Sequence, residues 1–105
     1  MKASESDVQA AICEYLALKG YLFSRTNNFP TFDKSRGAFR ALPKYTRKGW
    51  PDICLIKEGK FYRIECKSDV GKLSEEQKEL GRDIILNGGM YVVARSIADV
   101  QAVGL

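Results

Sequence analysis

The sequence contains no histidine. Its absence removes the commonest general base at neutral pH, the commonest zinc ligand and every catalytic triad built on an imidazole. Any chemistry must therefore rest on carboxylates, lysine, tyrosine or a bound metal ion. Cysteine is scarce and odd in number. Cys13, Cys54 and Cys66 stand far apart in apolar stretches with no C-x-x-C pair, which speaks against a disulfide framework and for buried free thiols. No apolar run approaches the roughly 18 to 20 residues that span a bilayer, and no signal-peptide core opens the chain, so a cytosolic protein without a membrane partner is expected. Internal repeats, linkers and low-complexity tracts are absent as well.

What is present fits one small globular domain over residues 1–105, with 45% hydrophobic and 29% charged residues. The net charge of +4 is modest, but its distribution is uneven. Lys34, Arg36, Arg40, Lys44, Arg47 and Lys48 follow one another with no acidic residue between them. Phe39 and Tyr45 are interleaved, and Trp50 comes just after. Basic residues with aromatics among them suit a segment that tracks a phosphate backbone, so these six are the candidate DNA contacts. A solvated surface loop is the plainer alternative, and Trp50 could equally pack beneath the loop.

Hydrophobic spacing divides the chain into elements. Ser4 and Asp7 precede Val8, Ile12, Tyr15 and Leu16, which reads as a capped amphipathic helix ending near Gly20. Tyr21 to Thr26 suits a strand. From Phe29 to Gly49 no period persists; a stretch of roughly twenty residues is long for a structureless loop and points to a functional one, with a short strand around Ala38 to Leu42. Ile53 to Ile56 is an unbroken apolar run, and Glu58-Gly59 turns it into Phe61 to Lys67, a hairpin. Ser74 with Gln77 forms a capping box ahead of Leu80, Ile84 and Ile85, the expected buried face of a helix that stops at Gly88-Gly89. Met90 to Ala94 is a further strand, and Ser96 with Asp99 is expected to cap a last short helix. The order implies an α/β fold, a central sheet flanked by helices.

Two short motifs carry the chemistry. Gly49-Trp50-Pro51-Asp52 enters the first strand of the hairpin, and Glu65-Cys66-Lys67 closes the second. Alternation places Glu65 and Lys67 on one face of their strand, with Cys66 on the other. If the two runs pair, Asp52 approaches Glu65, and two hard oxygen donors stand beside an ammonium group. Such a trio suits Mg²⁺ or Mn²⁺ and a phosphate, with the Cys66 backbone carbonyl as a further metal ligand. Lys67 would orient or deprotonate the attacking water and offset charge on the phosphate. Taken singly, each motif is ordinary turn chemistry or ordinary strand alternation. Their order on paired strands is what points to a site.

These motifs, with Ser4-Glu5 and Gln9 on the first helix, Leu73-Ser74-Glu75-Glu76-Gln77 and Gly89 before the last strand, resemble the virus-type replication-repair nuclease (VRR-NUC) family of the PD-(D/E)XK nuclease superfamily. The resemblance spans nearly the whole chain. It implies a restriction-endonuclease-like core with a mixed sheet, Asp52 and Glu65 as metal ligands, Lys67 as a catalytic residue, and supporting roles for Glu5 at the metal and for Gln77. Glu5 also suits a helix N-terminus on its own account. Glu14 competes with it if the helix is rotated, Gln77 has a local task in the capping box, and Gln9 lies one turn beyond Glu5. By the same resemblance the activity is a metal-dependent DNA endonuclease acting on branched DNA such as four-way (Holliday) junctions, in a phage or bacterial DNA-repair setting. Two incisions per junction suggest a homodimer. The alternative is a catalytically inactive, structure-specific DNA-binding module.

Overall fold

The protein was analysed as a computed structural model, which describes residues 3–26, 32–39 and 44–105. Its frame is the expected hairpin. Glu58 and Gly59 both take positive φ, 51° and 75°, the combination a two-residue type I′ turn requires. That turn pairs Lys57 with Lys60 and sets the register of β4 (Ile53–Lys57) against β5 (Lys60–Cys66), with Cys54 opposite Arg63 and Ile53 opposite Ile64. The first strand of the chain, β1 (Leu22–Arg25), lies antiparallel on the far side of β4. On the other flank β6 (Met90–Ala94) runs parallel to β5. The result is a mixed sheet in the order β1-β4-β5-β6.

Helices cover both faces, so the α/β class read from the sequence holds. Helix α1 (Glu5–Leu18) opens with the expected capping box, Ser4 Oγ accepting from the Asp7 N–H at 3.1 Å and the Asp7 carboxylate accepting from the Ser4 N–H at 3.1 Å. Its Val8, Ile12 and Leu16 pack with Ile53, Leu55, Tyr62, Ile64, Cys66, Val92 and Ala94 from one face of the sheet and with Val100 of α3 (Ile97–Gln101). Full burial of each aliphatic side chain in such a core contributes roughly 1.5–3 kcal/mol. Helix α2 (Glu75–Leu86) lies over the opposite face, where Gly81 meets the Tyr91 ring so closely that a Cβ would come within 2.7 Å of it. No helix among the described residues is long and apolar enough to cross a membrane.

Several local expectations change. Ile85 is 58% exposed, and the inward positions of α2 are Leu80, Gly81 and Ile84. Ser96 makes no side-chain cap on α3; the Asp99 carboxylate instead accepts from the Arg95 N–H at 2.8 Å, satisfying the backbone one residue before the anticipated cap. The irregular stretch holds a two-strand ribbon, β2 (Phe32–Asp33) with β3 (Ala38–Phe39), rather than one short strand. Residues 40–42 of the anticipated strand lie outside the described residues. The cysteines are all free, Cys66 buried and Cys13 and Cys54 half-buried.

Candidate active site

Register brings the two acids together. One step before the β4–β5 ladder begins, Asp52 falls opposite Glu65 on the face that also carries Cys54 and Arg63. Directly opposed residues hold their Cβ atoms about 5 Å apart. Both carboxylates are withdrawn from solvent, Glu65 at 1% exposure and Asp52 at 9%. Asp52 Oδ2 accepts from the Cys66 N–H at 2.7 Å. In an extended strand the N–H and C=O of one residue project toward the same edge, so the Cys66 carbonyl also faces the Asp52 side. The thiol points into the core, and burial pushes its pKa up.

Lys67, 8% exposed, places Nζ 3.9 Å from Glu65 Oε1. Gln77 donates from Nε2 to the same Oε1, while its own Oε1 accepts from the Ser74 N–H at 2.9 Å. The capping box and the site are therefore one arrangement: the box holds the Gln77 amide so that its other end reaches Glu65. Gly49 brings this helix end close. With φ of +87°, it lies where a Cβ would stand 2.9 Å from the Glu76 carbonyl carbon and 3.0 Å from the Gln77 nitrogen, a conformation and a contact that only glycine accommodates.

The Glu65 carboxyl is raised from 4.5 to about 8. Burial is the main cause, followed by the charge of Asp52; a hydrogen bond between the two acids and the more distant Glu5 add to it, and Lys67 works the other way. Of two acids sharing one dry site, the second ionises only at raised pH unless further positive charge offsets it. Glu65 Oε2 is buried and accepts from no N–H or hydroxyl donor, an acceptor of the kind a divalent ion would satisfy. The donor set is all oxygen, which fits Mg²⁺ or Mn²⁺ and not a thiolate-bound metal. Asp52, Glu65 and the Cys66 carbonyl are the groups that would hold such an ion.

The other candidates are placed as follows. Glu5 sits in the exposed first turn of α1, near enough for Glu65 to feel its charge. Among the described residues no three His, Cys, Asp or Glu side chains gather as a metal-holding group. Glu14 is exposed and lies about 180° around the helix from Glu5 at about 100° per residue. Gln9, one turn beyond Glu5, is 8% exposed and lines a cavity of about 190 Å³ with Ser6, Ala10, Cys13 and Arg25. Lys34, Arg36, Lys44 and Lys48 are exposed; Arg47 pairs with Asp83 of α2 at 2.9 Å. Arg40 lies outside the described residues.

Three residues around the site escape a reading by motif. Arg63, Thr26 and Tyr91 belong to no short pattern, although Arg63 shares the strand face of Glu65 and Lys67. Trp50, undecided from sequence, lies against the Arg63 guanidinium at 5.0 Å. The Tyr91 hydroxyl is buried without a partner, and burial, then the charges of Glu65 and Asp52, raise its pKa to about 12.

No family model matches the chain, and no curated protein does. Among solved structures, one described as a VRR_NUC domain protein matches with a TM-score of 0.61 and 21% identity over 98% of this chain and 86% of that one. At that identity the likeness is one of fold.

Proposed function

We propose that the protein is a Mg²⁺- or Mn²⁺-dependent endonuclease that hydrolyses phosphodiester bonds in DNA, with branched DNA such as four-way junctions as substrate and a homodimer as the working form. The observation that carries the reading is the buried Asp52–Glu65 pair with Lys67 beside it, on a fold shared with a VRR_NUC domain protein. A burial this unfavourable for two carboxylates is understandable where a cation completes it.

Asp52 and Glu65, with the Cys66 carbonyl, hold the metal ion, which when bound supplies Lewis-acid polarisation of the phosphate and a more acidic water. Gln77 fixes Glu65 through Oε1 and leaves Oε2 for that role. The Lys67 ammonium orients the attacking water and offsets the charge gathering on the phosphate oxygens. Exposed Lys34, Arg36, Lys44 and Lys48 attract the backbone of the substrate.

Incubation of the purified protein with linear, nicked, flapped and four-way DNA, in Mg²⁺, in Mn²⁺ and in chelator, tests the proposal. Cleavage is expected with either ion, strongest on the branched substrates and absent in chelator. Cleavage that persists in chelator, or no cleavage of any substrate by a folded, DNA-binding protein, would sink it.

A further inference from the structure

Arg63 spends a buried position on a cation. It is 6% exposed, its Nε has no partner, and burial holds its pKa below the ordinary arginine value. Were the position needed only for packing on this face of β5, an aliphatic side chain would serve at less desolvation cost. Besides the Cys54 thiol opposite it on β4, the bonds that Arg63 makes converge on one peptide. Nη2 donates to the Pro51 carbonyl at 3.1 Å and to Thr26 Oγ1 at 2.9 Å. Thr26 Oγ1 in turn donates to the Pro51 carbonyl at 2.9 Å, and the Thr26 N–H donates to the Asp52 carbonyl at 2.7 Å. The guanidinium carbon also lies over the Trp50 ring at 5.0 Å and over the Phe61 ring at 5.8 Å. Trp50 itself immediately precedes Pro51, so the stack and the hydrogen bonds grip one continuous segment.

We infer that Arg63 is the positioning residue for Asp52: held against Trp50 and Phe61, it fastens the Pro51 carbonyl with Thr26 and thereby sets where the Asp52 carboxylate meets the Cys66 N–H and Glu65. The role of Asp52 as a metal ligand comes from the function proposed above; the geometric part stands without it. Pro51 offers no N–H to anchor the approach to β4, so its carbonyl, with that of Asp52, is a backbone handle by which this turn is held. A lysine could not reproduce the grip, because an ammonium lacks the planar fork and stacks poorly on rings.

The readout is hydrogen exchange of the Cys66 amide in metal-free protein, since that N–H donates to Asp52 Oδ2. Arg63→Met keeps an apolar stem against the rings and removes every donor. It should speed Cys66 exchange about tenfold beyond any change at the Ile12 and Leu55 amides, the loss expected of one hydrogen bond. Arg63→Lys should behave nearly the same, and Thr26→Val should give a smaller effect of the same kind. In the active protein, Arg63→Met should lower kcat about tenfold or more with KM for DNA nearly constant, the split expected of a misplaced catalytic group rather than a lost DNA contact.

Cys66 exchange that is unchanged, or faster only in step with all core amides, would overturn the inference. If Arg63→Met does not fold, Thr26→Val decides on the same amide. A parent protein that neither binds Mn²⁺ nor cleaves would refute the nuclease reading, while Cys66 exchange would still decide the role of Arg63.

Discussion

Glu65→Gln is expected to make the metal-free protein more stable at pH 8 while reducing cleavage on the order of 10³-fold. The stability gain follows from the raised carboxyl, moved from 4.5 to about 8 by burial and by Asp52. Between those two values the unfolded chain has released its proton and the folded one retains it. Stability therefore falls as pH rises through the window from about 5 to about 8, by on the order of 3–5 kcal/mol in total. Glutamine has no charge to bury, so the variant should lack this slope and melt roughly 15–20 °C higher than the parent at pH 8 in chelator. Added Mn²⁺ should restore the parent and leave the variant nearly unmoved. Thermal melts at pH 5 and pH 8, with and without Mn²⁺, measure all of this. Glu14→Gln, altering an exposed side chain on the far side of α1, is the control and should change neither melts nor cleavage. A Glu65→Gln protein that keeps the parent's pH slope would place the unfavourable charge elsewhere.

Lys67→Ala is the second large effect. Removal of the ammonium 3.9 Å from Glu65 Oε1 should lower kcat by on the order of 10²–10⁴-fold, with junction affinity nearly constant because exposed cations supply most of the attraction for DNA. Lys67 is also the partner that favours the ionised form of Glu65. Without it, the residual activity should move to higher pH, where Glu65 can ionise unaided. Gel shift on a four-way junction, together with single-turnover cleavage across pH, separates these effects. If Lys67→Ala cuts as fast as the parent, the activity belongs to another group or another protein.

Much of the site was legible because short-range rules govern it. The Glu58-Gly59 turn fixes the hairpin register, and counting back from that turn places Asp52 across from Glu65. Alternation then puts Lys67 on the same face. Ser74 and Gln77 were readable as a capping box, and their helix-end geometry is local. What stayed hidden depends on packing between distant segments. That Gln77 serves both the cap and Glu65 requires α2 to settle over the sheet, which Gly49 and Gly81 permit by close approach. Arg63 was visible as a polar residue on the right face, but its partners Thr26 and Trp50 come from other parts of the chain. Ile85 fitted the apolar periodicity and yet faces outward, since the inward contact of that turn is Gly81 on the Tyr91 ring. The basic residues could be counted but not assigned partners, and Arg47 turns out to be engaged by Asp83.

The central claim is that Asp52 and Glu65 hold a divalent ion with Lys67 alongside. Anomalous diffraction from crystals soaked in Mn²⁺ tests it most directly. A peak between those two carboxylates, absent from Glu65→Gln crystals treated in the same way, is the predicted result. A Mn²⁺ peak at other residues, with the Asp52 and Glu65 oxygens left without the ion, would contradict the account.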